Sequence, residues 1–133
     1  MSKRSSRRLT EMESLSQLFS LAGRVSLVTG GGRGLGLGMA RALAQAGSDL
    51  VLVGRTLSQI QEASRSIGQE TGRKVLGLCA DVSKREDLDR VVEAAVSELG
   101  SIHVLVNNAG INVRKPFVQI SQEEFDSVMA VNL

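Results

Sequence analysis

Thr29 to Gly36 reads TGGGRGLG, and the reading of this stretch decides the fold. Taken alone, a run of glycines suits a linker, a turn or a phosphate cradle, so its neighbours have to separate these. Before it, Val25 to Val28 (VSLV) has the continuous apolar character of a buried strand. After it, from Gly34 to Ala46, Leu35, Met39, Leu43 and Ala46 recur at helical spacing until Gly47 ends the run. A glycine loop that leaves a strand and opens a helix can bend sharply, approach an anion closely and aim free helix amides at it. The spacing is G-x-x-x-G-x-G at Gly30, Gly34 and Gly36, with no Lys-Ser/Thr pair behind it. ATP or GTP hydrolysis on a Walker-type loop is therefore disfavoured.

Outward from this loop the alternation continues. Asp49 to Val53 (DLVLV) predicts a second strand, and Leu57, Ile60, Ala63 or Ser64, and Ile67 mark one face of a helix that stops near Gly72. Lys74 to Ala80 predicts a third strand. Ser83 with Glu86 has the form of a capping box, opening a helix that repeats Leu88, Val91 with Val92, Ala95 with Val96, and Leu99, and closes at Gly100. Ile102 to Val106 predicts a fourth strand. A polar loop through Pro116 then leads to a second capping box, Ser121 with Glu124, and a helix carrying Phe125, Val128 and Met129.

The order βαβαβαβα predicts an α/β fold, a Rossmann-type parallel sheet with helices on both faces that stops after the fourth strand and its following helix. Residues 19–133 are expected to form one dinucleotide-binding domain, and residues 1–18 a flexible basic extension.

Composition bounds the function. With 42% hydrophobic and 23% charged residues in 133, the chain suits one ordinary globular domain. The net charge of +2 is concentrated at the start, where Lys3, Arg4, Arg7 and Arg8 outweigh Glu11 and leave the remainder at −1. No broad nucleic-acid footprint is expected on such a surface. The single cysteine, Cys79, cannot form an internal disulfide, and its apolar setting VLGLCA predicts a small buried residue in a reducing, cytoplasmic protein. No apolar run approaches the ~18 residues of a membrane helix, and no metal ligand set is expected. The lone His103 falls at the amino end of the fourth strand, away from the edge where ligands of such sheets collect.

Arg33, inside the glycine loop, points to the ligand's identity. A site that prefers NAD places an acid at the end of the second strand to bind a ribose hydroxyl. Here that position reads Gly54-Arg55-Thr56. A guanidinium there suits a phosphate on the ribose, and Arg33 can approach the same group from the other side. If the two arginines are not simply solvated surface residues, they favour NADP(H) over NAD(H). Asp81 lies at the carboxyl end of the third strand, a ligand position in open α/β sheets, though it equally suits a helix start ahead of Ser83.

On TGGGRGLG at 29–36, Asp81-Val82, NNAG at 107–110 and VNL at 131–133, the chain resembles the short-chain dehydrogenase/reductase family from about Phe19 to Leu133. The resemblance implies that Thr29, Gly30, Gly32, Gly34, Leu35 and Gly36 form the coenzyme loop, with the pyrophosphate over Gly30, Gly34, Leu35 and Gly36. It implies Arg33, Arg55 and Thr56 beside the 2′-phosphate, and Asp81 with Val82 in the adenine pocket. Asn108, Ala109 and Gly110 approach a ribose, Asn107 bridges strands, and Asn132 matches the family's catalytic asparagine. The family's catalytic serine and Tyr-x-x-x-Lys motif are not matched, and these residues contain no tyrosine. The chain therefore reads as the amino-terminal, coenzyme-binding half of an oxidoreductase that acts on a small alcohol/carbonyl pair, inactive by itself and homo-oligomeric when complete.

The segment GINVRKP at 110–116 is mildly similar to sugar-acid dehydrogenases such as gluconate 5-dehydrogenase, with 3-oxoacyl reductases the main competitor. A non-catalytic dinucleotide-binding or subunit-interaction module is the alternative from a different class. A methyltransferase is disfavoured, because Arg55 stands where an acid would bind the nucleoside ribose.

Overall fold

The computed structural model describes residues 15–133. Of the expected extension, residues 1–14 lie outside the described residues, and residues 15–18 form a turn of helix. The elements that follow are β1 (Val25–Thr29), α1 (Gly34–Gln45), β2 (Asp49–Gly54), α2 (Leu57–Thr71), β3 (Val75–Cys79), α3 (Arg85–Leu99), β4 (Val104–Val106), a 3-10 turn at Phe117–Gln119 and α4 (Gln122–Asn132). The strands pair in the order β3-β2-β1-β4, all parallel. Leu27 stands between Val51 and Leu105 in the register. Parallel neighbours require crossovers, and the helices between the strands supply them.

The strands alternate their apolar side chains between two cores. Val28, Leu50 and Leu52 meet Ala40 and Ala44 of α1 and Ile60, Ala63 and Ile67 of α2 on one face. Val25, Leu27, Val51 and Val53 meet Val91 and Ala95 of α3 on the other. Burial on both sides explains why β1 and β2 read as near-continuous apolar runs. Among the described residues Ser26, Thr29 and Ser48 are the buried polar ones, and the Ser26 and Ser48 hydroxyls pair at 2.7 Å.

Several expectations need correction. The buried stripe of α1 is Gly36, Ala40 and Ala44, while Leu35 is 82% exposed and Met39 is also exposed. The small residues let the helix lie close against the sheet, and the longer side chains are displaced outward. The Ser83–Glu86 box does not form, because α3 starts one residue later with Lys84 as its N-cap. Ser83 instead donates its amide and its hydroxyl to the Asp81 carboxylate. Cys79 is exposed rather than buried, since β3 is an edge strand and Cys79 is its last residue, with Sγ against the Arg55 carbonyl at 3.3 Å.

β4 is shorter than expected because His103 takes over its first rungs. Its amide donates to the Val25 carbonyl at 2.8 Å, and its Nδ1 accepts the Val25 amide at 3.0 Å. The Ser121–Glu124 box is present with both reciprocal bonds. α4 buries none of its residues, and Leu105, at 58% exposure, leaves the β4 edge open.

Candidate functional site

The glycine loop bends where only glycine is comfortable. Gly30 and Gly34 have φ of 65° and 56°, the left-handed region that Cβ disfavours. At Gly36 the constraint is space: an added Cβ would collide with the Gly30 carbonyl and the Asn108 side-chain amide. The loop thus folds tightly onto the start of α1, whose N-cap, Arg33, makes no side-chain cap and whose first turn holds no acid. The amides there stay open to an anion.

Behind the loop, Thr29 and Asn108 bind β1 to the turn after β4. The Thr29 hydroxyl accepts the Asn108 and Ala109 amides at 3.1 and 3.0 Å and donates to the Val106 carbonyl at 3.4 Å. The Asn108 side-chain amide donates to the carbonyls of Thr29 and Gly30 at 3.0 and 3.2 Å. The bridge expected of Asn107 is therefore made by Asn108, whose side chain turns toward β1 while Asn107 is exposed.

These segments enclose one open cavity of about 300 Å³ at the carboxyl ends of the strands. The loop contributes Gly30, Gly32, Arg33, Gly34, Leu35 and Gly36. The end of β2 adds Arg55 and Thr56, the end of β3 adds Asp81 and Val82, and the turn after β4 adds Asn108, Ala109 and Gly110. Of the residues singled out from the sequence, Thr29 and Asn132 do not line it. Thr29 is buried beneath the turn. Asn132 accepts the Ile111 amide through Oδ1 at 2.9 Å and donates from Nδ2 to the Ile111 carbonyl at 3.1 Å, tying α4 to the turn.

Gly54, Gln59, Ile60, Ala80, Ile111 and Val131 complete the wall, and the sequence alone placed none of them against a ligand. Ile111 directly follows NNAG. Gln59 and Ile60 lie in the first turn of α2, and the tendency of helical side chains to lean toward the N-terminus was the available signal.

Arg33 and Arg55 are exposed and form no ion pair among the described residues, so both guanidiniums are available to a ligand. Asp81 is held below the usual carboxylate range, first by the Ser83 hydroxyl, then by the Ser83 amide, with smaller contributions from Lys84 and Arg55. The cavity lining thus carries the Asp81 carboxylate, the guanidiniums of Arg33 and Arg55, and the open amides at the start of α1. Open helix amides and two cations at one cavity favour an anionic ligand.

A parallel sheet with a glycine-loop cavity at its carboxyl edge defines the class of nucleotide-binding α/β proteins. The family model for short chain dehydrogenase matches residues 24–133, and the chain belongs to that family of oxidoreductases. It is 43% identical over 117 residues to 2-dehydro-3-deoxy-D-gluconate 5-dehydrogenase of Escherichia coli (strain K12), covering 86% of this chain and 44% of that protein. The structure of L-sorbose reductase from Gluconobacter frateurii, complexed with NADPH and L-sorbose, superposes with a TM-score of 0.79 at 34% identity, covering 84% of this chain and 44% of that one. The 3-ketoacyl-(acyl-carrier-protein) reductase from Brucella melitensis, complexed with NADH, gives 0.80 at 40% identity, covering 86% and 46%. The chain thus spans about half the length of the relatives it matches. Among the described residues no helix is long and apolar enough to cross a membrane.

Proposed function

We propose that residues 19–133 are the coenzyme-binding portion of an NADP(H)-dependent oxidoreductase that interconverts a small alcohol and its carbonyl compound. The observation that carries this reading is that Arg33 and Arg55 both line the glycine-loop cavity and form no ion pair among the described residues, with no acid at the end of β2. The related structures were solved with NADPH in one case and NADH in another, so the choice rests on this chain's own cations. Each charge-assisted contact to a ribose phosphate contributes about 1.5–3 kcal/mol when well formed, and exposed arginines belong at the lower end.

In this reading Gly30, Gly34, Leu35 and Gly36 carry the diphosphate, and the open start of α1 faces it. Thr56 joins the two arginines at the ribose phosphate, Asp81 and Val82 receive the adenine, and Asn108, Ala109 and Gly110 take the second ribose. The bound coenzyme supplies or accepts the hydride. Asn132, whose amide is committed to Ile111, holds α4 against the turn as a positioning residue. Thr29 supports the same turn from below.

Carbonyl reduction also needs a positioned proton donor, which typically contributes ~10²- to 10⁴-fold. These residues contain no tyrosine to serve as one, so no turnover is expected of the 133 residues alone; because they span 44% of the matched dehydrogenase, turnover is assigned to a longer protein, read as homo-oligomeric and cytoplasmic. The likeness to a gluconate-series dehydrogenase and the GINVRKP segment favour a sugar acid as its substrate.

Calorimetric titration with NADPH and with NADH tests the reading. Tighter binding of NADPH by about tenfold or more, reversed in Arg55→Asp, is expected. Absence of binding by either coenzyme to the folded chain and to its longer parent would overturn it.

A further inference from the structure

Helices α3 and α4 each carry a carboxylate at the third position after the N-cap, and the protein uses the two differently. In α4 Glu124 turns back on its own helix start, where its carboxylate accepts the amide of the N-cap Ser121 at 2.9 Å. In α3 the equivalent residue is Asp87, counted from the N-cap Lys84. Its Oδ2 reaches past the N-cap and accepts the Asp81 amide at 2.8 Å, while the Lys84 amide donates to the Asp81 carbonyl at 3.0 Å. The helix thus directs this carboxylate to the loop after β3 and not to its own cap.

Asp81 lines the cavity at the end of β3, and all but one of its polar atoms are already bonded. Its amide is held by Asp87 and its carbonyl by Lys84. Its Oδ1 accepts the Ser83 amide at 3.0 Å and the Ser83 hydroxyl at 2.7 Å. Among the described residues only Oδ2 accepts no hydrogen bond. Asp87 is fixed in its turn, because Arg90, three residues further along α3, donates from Nη2 to Asp87 Oδ1 at 2.6 Å. A carboxylate clamped through one oxygen and holding a backbone amide with the other sets the orientation of the residue that owns the amide.

We infer that Asp87 is a positioning residue of the coenzyme site, which fixes the backbone of Asp81 so that the open carboxylate oxygen stands where the amino group of the bound base donates to it. This inference rests on the coenzyme reading above, in which Asp81 receives the adenine. Asp87 does not line the cavity, so it acts only through Asp81. What the position requires is an acceptor of the right reach. An asparagine oxygen still accepts a backbone N–H, whereas loss of the acceptor frees the Asp81 amide and lets the carboxylate turn away from the base.

The test titrates the unsubstituted full chain, Asp87→Ala, Asp87→Ser and Asp87→Asn with NADPH and with reduced nicotinamide hypoxanthine dinucleotide phosphate, in which a carbonyl replaces the adenine amino group. The unsubstituted chain is expected to prefer NADPH by about tenfold. Asp87→Ala and Asp87→Ser, both too short to reach the Asp81 amide, should reduce that preference to less than about threefold, while Asp87→Asn keeps it. Serine retains a polar group at the helix start and carries the test should the alanine variant not fold. A purely structural role for Asp87 would weaken both coenzymes equally and leave their ratio unchanged. An unchanged ratio in the alanine or serine variant, a ratio lost as fully in Asp87→Asn, or an unsubstituted chain that binds the two coenzymes alike overturns the inference while leaving the coenzyme site in place. Failure of the unsubstituted chain to bind either coenzyme removes both readings together.

Discussion

Replacing Thr29 by valine isolates the chemistry beneath the cavity. Valine keeps the branched shape, so little packing is lost at a position only 6% exposed, but the hydroxyl that accepts the Asn108 and Ala109 amides disappears. Both amides belong to a part-buried turn, and among the described residues only Asn108 N has a second acceptor, the Val106 carbonyl at 3.1 Å. An unsatisfied buried donor costs ~1–3 kcal/mol. One amide wholly stranded and one partly so give about 2–3 kcal/mol, a large share of the 5–15 kcal/mol typical of a domain. Equilibrium urea unfolding of Thr29→Val and Thr29→Ser reads this directly, because serine retains the acceptor and loses only a methyl, about 1 kcal/mol. Hydrogen exchange should accelerate at Asn108 and Ala109 in the valine variant alone. Equal destabilisation by valine and serine, with unchanged exchange at those amides, would refute the reasoning.

Other outcomes follow from the same geometry. Gly36→Ala should abolish coenzyme binding and lower the unfolding midpoint, since the new methyl meets the Gly30 carbonyl and the Asn108 amide; a variant that binds as before contradicts the packed loop. Acid should act through Asp81, Asp87 and Glu124, whose folded pKa values are lowered chiefly by Ser83, by the Asp81 amide and by Lys115 respectively. Carboxyls lowered on folding add stability above their unfolded values near 4 and lose it as pH falls through the folded ones. Stability from these groups should therefore hold at neutral pH and decline below about pH 4. In Ser83→Ala the Asp81 carboxyl should titrate at higher pH by NMR. Leu105→Lys should reduce self-association of the 133 residues in sedimentation, because β4 presents an open, apolar edge.

The sequence by itself determined what local chemistry can encode. Predominantly apolar runs at Val25–Val28 and Asp49–Val53, and a glycine loop between strand and helix, were enough for the parallel sheet and the cavity's main wall. That Arg33 and Arg55 line one cavity was legible from their places in the glycine loop and at the end of β2. Only the tertiary structure decided which faces are buried and which polar groups meet. Close approach of α1 to the sheet selected Gly36, Ala40 and Ala44 over the larger Leu35 and Met39. The edge position of β3 exposed Cys79, and the line of approach between β1 and the turn after β4 gave the bridge to Asn108 instead of Asn107. The cap pattern at Ser83 and Glu86 stayed open while its counterpart at α4 closed. These outcomes depend on distances between segments far apart in the chain, whereas periodicity reports only on neighbours within a turn or two.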